Sequence, residues 1–114
     1  MIVEKKHLEN FVVLSVEGLI KLGESAEFFS STLAHVLEEE TGNVMIDFSK
    51  IDYIDSTGIG ELVGYLKKFT SQNRNLILIN PSERIDRLLK LARLDLLFRI
   101  YDTQEAALAA ESRT

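Results

Sequence analysis

Short β-branched apolar runs recur along this chain, and each is set off from the next by a stretch with three- and four-residue apolar spacing. Phe11-Val12-Val13-Leu14-Ser15-Val16, Val44-Met45-Ile46-Asp47-Phe48, Leu76-Ile77-Leu78-Ile79 and Leu97-Phe98-Arg99-Ile100-Tyr101 are the runs. Their length and β-branched content read as strands. Leu76 to Ile79 is apolar without alternation, which predicts burial on both faces. Strands that alternate with helices imply crossover connections, and hence a largely parallel sheet.

The spacing predicts a helix over Ala26 to Glu40, with Ala26, Phe29, Leu33 and Leu37 on one face and Gly42 as a left-handed stop. Gly18 is expected to end the strand before it. A second helix runs from about Thr57 to Phe69, after a polar loop containing Ile51, Tyr53 and Ile54. Asn80-Pro81-Ser82-Glu83 predicts a third start, with Asn80 capping, Pro81 at the first helical position and Glu83 reaching back. That helix turns Ile85, Leu88, Leu89 and Ala92 inward. Asp102 to Glu105 repeats the logic and opens a terminal helix through Ala110. Residues 1–10 form an edge strand or lead-in, and 111–114 a frayed tail. The 114 residues suit a single domain. The expected fold is α/β, one small domain spanning 1–114, with a mostly parallel four- to five-stranded sheet and about four helices.

The net charge of −5 argues against a nucleic-acid binder. Arg84, Arg87, Lys90 and Arg93 alternate with leucines and isoleucine, and read as the wet side of an amphipathic helix. With no cysteine, thiolate chemistry and Cys-based zinc sites are excluded. The first residues lack the apolar stretch of a signal peptide, and no run nears the ~20 residues of a membrane span. Cytoplasmic residence, without membrane insertion, is the expectation.

The chemistry concentrates in Asp47 to Gly60, reading Asp-Phe-Ser-Lys-Ile-Asp-Tyr-Ile-Asp-Ser-Thr-Gly-Ile-Gly. Ser56 falls where loop becomes helix. It suits an ordinary N-cap. A phosphoacceptor is the second reading, because a helix N-terminus favours an anion, and a phosphate of charge about −1.5 to −2 would be repelled by Asp52, Asp55 and Glu61. Gly58 and Gly60 are poor helix formers, and imply close approach to the backbone.

The run from Val44 to Gly60 resembles the signature of the STAS domain, the family of anti-sigma factor antagonists and of cytoplasmic domains of sulfate transporters. Leu76 to Pro81, Ile85 to Leu91, Leu94 to Tyr101 and Asp102 to Leu108 resemble the family's later elements. The resemblance implies that Ser56 is phosphorylated by an anti-sigma factor that is also a serine kinase. The unphosphorylated domain binds that partner, the phosphorylated domain lets go, and a serine phosphatase resets it. Asp55 is then the motif neighbour, and Thr57, Gly58, Ile59 and Gly60 shape the docking surface. Gly18-Leu19-Ile20-Lys21 departs from the Gly-Glu-Leu-Asp-like turn of many antagonists, so Lys21 implies altered partner contacts.

An enzyme would pair Ser56 with His35 or His7, but no Gly-x-Ser-x-Gly elbow surrounds Ser56. A phosphoaspartate receiver would use Asp47, yet Glu17-Gly18-Leu19 supplies no acidic pair for magnesium. Asp47, Asp52 and Asp55 match no known metal loop, so no metal or cofactor is expected. A STAS-type scaffold, or an accessory subunit of a lipid-transport ATPase or stress complex, is the alternative, with Phe28, Phe29 and Tyr53 as a contact patch. Oligomeric state is left open.

Overall fold

A computed structural model describes residues 1–112. Ten elements follow one another: β1 (Ile2–Leu8), β2 (Phe11–Ile20), α1 (Glu24–Glu39), β3 (Asn43–Ile54), α2 (Ser56–Ser71), β4 (Leu76–Ile79), α3 (Glu83–Leu91), a 3-10 turn (Leu94–Leu96), β5 (Ile100–Tyr101) and α4 (Gln104–Glu111). The five strands lie in sequence order across one sheet. β1 is antiparallel to β2, and every other neighbour is parallel. The expected α/β domain is therefore present, with five strands and four α-helices.

The sheet has two apolar faces, as period-two strands require. Val12, Leu14, Val44, Ile46, Leu76 and Leu78 belong to the larger core with α1, α2 and α3. Phe11, Val13, Met45, Ile77 and Ile79 face the other way, against Ala107 and Leu108 of α4. All four residues of β4 are buried, as continuous apolarity implies.

Several boundaries differ from the sequence expectation. β2 does not stop at Gly18. Register shifts fall between Ser15 and Glu17 and between Gly18 and Leu19, and Gly18 has φ 116°. A bulge thus bends the strand without ending it. β3 likewise continues through the expected polar loop to Ile54. Ile51 and Ile54 are both buried at a three-residue step, which hides the strand from a period-two reading.

Gly42 is not a left-handed stop. α1 ends on Glu40 in an extended conformation. A Cβ on Gly42 would stand 2.6 Å from the Asn10 carbonyl oxygen, so the glycine is needed for close approach to the β1–β2 turn. Asn80 is not the α3 cap either. It adopts φ 54°, while Ser82 Oγ accepts from the Ile85 N–H at 3.2 Å and Glu83 opens the helix. Ala92 is exposed and Leu88 half-buried, so Ile85 and Leu89 carry the inward face. The last strand begins at Ile100, because the 3-10 turn leaves Leu97 exposed and buries Phe98. The α4 cap is Thr103, whose Oγ1 accepts from the Ala106 N–H. Glu111 is not frayed: it is buried in α4, with Arg99 2.7 Å and Tyr101 Oη 2.6 Å from its carboxylate. Ser112 caps the end of α4, its N–H on the Leu108 carbonyl, and the remaining two residues of the expected tail, Arg113 and Thr114, lie outside the described residues.

Candidate functional site

The candidate site forms where β3 gives way to α2. Asp55, and not Ser56, is the α2 N-cap. Its Oδ1 accepts from the Gly58 N–H at 3.0 Å. Its Oδ2 accepts from the Leu22 N–H at 2.9 Å. Its own N–H donates to the Ile20 carbonyl at 3.0 Å. One aspartate therefore satisfies an orphan donor of the helix and ties the β2–α1 turn to it. The Gly58 N–H, then the Leu22 N–H, hold the Asp55 carboxyl below its usual pKa, against a smaller opposing effect of burial. The group stays anionic at neutral pH.

With the cap supplied by Asp55, Ser56 becomes the first helical residue. Its side chain is exposed and, among the described residues, has no hydrogen-bond partner in the protein. The hydroxyl is free of any structural task.

The remaining residues of the motif divide. Gly58 is buried, and a Cβ there would lie 2.6 Å from Ile20 Cγ2 and 2.8 Å from Ile54 Cγ1. Ile59 is half-buried against the larger core. Gly60 is exposed, with no atom within 4 Å of where its Cβ would be. Thr57 lines a shallow groove between α1 and α2, together with Leu22, Ala26, Glu27 and Glu61. Lys21 is exposed in the turn that Asp55 clamps, and Ser25 Oγ closes that turn against the Lys21 N–H and carbonyl. Ser56 and Gly60 lie one turn apart on the exposed face of α2 and form, with Thr57, the rim of the site, while Gly58 and Ile59 support it from inside and Lys21 is exposed on the adjoining β2–α1 turn.

Sequence reasoning missed Leu22, which is 77% exposed beside Asp55. Its signal was an apolar residue in a turn with no periodic partner. Leu19 and Tyr53 are register partners on β2 and β3, and both are exposed. The expected Phe28–Phe29–Tyr53 patch does not form. Phe29 is fully buried, whereas Phe28 faces a different groove with Met1 and Glu24.

Neither histidine approaches Ser56. His35 pairs with Glu39 at 3.5 Å and His7 with Glu40 at 2.8 Å. These sit toward the C-terminal end of α1, whose 16 residues span roughly 24 Å, while Ser56 adjoins its N-terminal end. Asp47 Oδ1 is occupied by the Ser49 N–H. Among the described residues, no group of three or more His, Cys, Asp or Glu side chains is arranged to hold a metal ion. No helix there is long and apolar enough to cross a membrane.

The family model for the STAS domain matches residues 3–107. The chain belongs to the STAS domain family. This STAS domain is 34% identical over 73 residues to the anti-sigma-B factor antagonist of Staphylococcus epidermidis, covering 64% of this chain and 68% of that protein. A candidate anti-sigma factor antagonist from Thermotoga maritima, solved by crystallography, is 28% identical and superposes with a TM-score of 0.82, over 95% of this chain and 92% of that one. SpoIIAA, an anti-sigma factor antagonist, shares the fold in its unphosphorylated form at 16% identity and TM-score 0.70, over 98% of each chain. The phosphorylated form, from Bacillus, matches at 18% and 0.70, over 96% of this chain and 98% of that one.

Proposed function

We propose that this STAS domain is an anti-sigma factor antagonist that binds an anti-sigma factor with serine kinase activity while Ser56 is unmodified, and releases it once Ser56 is phosphorylated. A serine phosphatase restores the binding form. The protein acts in the cytoplasm as a binding module, without catalysing a reaction itself. The observation that carries this reading is the placement of Ser56: exposed, first in α2, and relieved of capping by Asp55.

The physical logic is local. A phosphate on Ser56 would project into solvent and leave the core unchanged. It would bring about −1.5 to −2 charges beside a carboxylate already fixed in its ionised form. Exposed Asp52 and half-buried Glu61 add to the repulsion. A partner complementary to the neutral hydroxyl would lose contact with the rim, and an unmatched charge at an interface costs binding. Lys21 and Leu22 enlarge the rim on the β2–α1 side and give this chain contacts of its own.

The test is a pull-down from extract of the source cells with ATP present, using wild type, Ser56→Ala and Ser56→Asp as baits. Wild type and Ser56→Ala recover a serine kinase of the anti-sigma type, and only wild type gains the mass of a phosphate. Ser56→Asp recovers at least about tenfold less. Equal capture of a transporter ATPase or scaffold protein by all three baits would replace this reading with a constitutive assembly role.

A further inference from the structure

We propose that the free edge of β1 is a self-association surface, occupied by β1 of a second copy of this chain, antiparallel about a two-fold axis through Lys5. Among the described residues, β1 is the outermost strand and has a neighbour on one side only. Leu8 stands opposite Phe11, leaving Glu9 and Asn10 as a two-residue loop. Such a loop closes on a hydrogen-bonded pair, and bonded and non-bonded pairs alternate from there. Lys6, Glu4 and Ile2 therefore direct their backbone groups to β2. Val3, Lys5 and His7 direct theirs to the open edge.

An added antiparallel β1 must match that set of three with its own. Centred on Lys5, it pairs Val3 with His7, Lys5 with Lys5 and His7 with Val3. Each pair exchanges two N–H···O=C bonds, so about six form. The intervening side chains then meet as Ile2 with Leu8, Glu4 with Lys6, Lys6 with Glu4 and Leu8 with Ile2. Two pairs are oppositely charged and two are apolar, and both kinds are favourable across strands. A shift by two residues puts Glu4 against Glu4, or Lys6 against Lys6, and shortens the overlap. The charge pattern thus selects one register. Ile2, 57% exposed in the single chain, gains an apolar neighbour in Leu8, which packs on the second core cluster. Lys5 facing Lys5 is the single unfavourable pair. Each Lys5 Nζ lies 3.0 Å from Glu40 of its own chain, which offsets that repulsion. Charged edges usually prevent association; here the charges read the same way from both ends.

The test is light scattering and sedimentation of the full chain over a concentration series. A reversible dimer is expected. Glu4→Lys or Lys6→Glu alone creates two like-charge pairs across the axis, and each should raise the dimer Kd about tenfold or more. The double variant restores both pairs in swapped order and should dimerise like wild type. Circular dichroism and the thermal midpoint verify that each variant is folded. The chain has no cysteine, so Lys5→Cys gives an independent readout. Cα atoms of a hydrogen-bonded pair lie about 5.5 Å apart, within disulfide reach, and mild oxidation should link two chains. A chain that stays monomeric at every concentration overturns the proposal. So does a dimer indifferent to the single charge reversals.

Discussion

Gly58 and Gly60 sit two residues apart on one helix and answer to different constraints. Gly58 has no room for a methyl group, since Ile20 and Ile54 already occupy the space a Cβ would take on the core side. Gly60 faces open space. Alanine at either position gains up to about 1 kcal/mol of helix propensity. At Gly58 that gain is outweighed by overpacking, which costs about 1–3 kcal/mol and more for valine. Gly60→Ala should therefore raise the denaturant midpoint, whereas Gly58→Ala and Gly58→Val should lower it in that order. Any loss of binding in Gly58→Val would follow from the fold, because its side chain would point away from the rim. Equal midpoints for the two alanine variants would refute the assignment of Gly58 to the core. Ser56 is the opposite case. Nothing in the described protein rests on its hydroxyl, so Ser56→Ala and Ser56→Asp should keep the wild-type midpoint to within about 0.5 kcal/mol.

At the scale of elements, α1 illustrates support drawn from far along the chain. Its last turn carries Glu38 and Glu39, followed by Glu40, the wrong sign for a helix C-terminus. The missing cation is Arg74, which arrives from the α2–β4 turn. Its guanidinium donates to the Leu37 carbonyl at 2.8 Å and the Gly42 carbonyl at 3.0 Å, with Val36 at 3.5 Å. It also stacks 4.6 Å from the centre of the Phe69 ring. Burial lowers its pKa, and nearby Glu40 acts in the other direction. Arg74→Leu should cost about 2–3 kcal/mol in urea unfolding, because carbonyls that it satisfies lose their donor. Arg74→Lys should recover only part of that, since an ammonium cannot reproduce the fork. A Leu variant as stable as wild type would show that water replaces the guanidinium without penalty.

For the whole molecule, two carboxylates fasten the two ends of α1 to the rest of the fold. Asp55 holds the turn before the helix through the Leu22 N–H. Glu40 holds the strand β1 beyond its other end, through His7 at 2.8 Å and Lys5 at 3.0 Å. Hydrogen bonds from His7, then Lys5, lower the Glu40 pKa. Both groups are thus depressed in the folded state. Their contribution is present in full above the ordinary carboxylate pKa of about 4, and is lost as pH falls through the depressed folded values. The thermal midpoint should hold steady from pH 7 to 5 and decline below about pH 4. Asp55→Asn with Glu40→Gln keeps hydrogen-bonding groups and removes both titrations, so its decline should be shallower. A double variant with the wild-type acid slope would locate the acid sensitivity elsewhere.

Local order was legible along the chain where periodicity and composition agree. The apolar runs at Phe11, Val44 and Leu76, the helical stripe of Phe29 and Leu33, and the α/β alternation all follow from residues that must be shielded from water at fixed spacing. The Asp55 to Gly60 run likewise marked the start of α2, and its resemblance to the STAS signature named the family. Tertiary structure alone decided what depends on distant partners. It moved the cap from Ser56 to Asp55, because the Leu22 N–H, 33 residues away, holds one oxygen of the carboxylate and so aims the other at the Gly58 N–H. It carried β2 through Gly18 and β3 through Ile51, because a bulged neighbour keeps pairing where the local pattern stops alternating. It closed α1 with Arg74 and anchored Glu111 on Arg99 and Tyr101. Sequence spacing records which side chains avoid water within an element. Which orphan donor or carbonyl a side chain meets is fixed only when the elements are brought together.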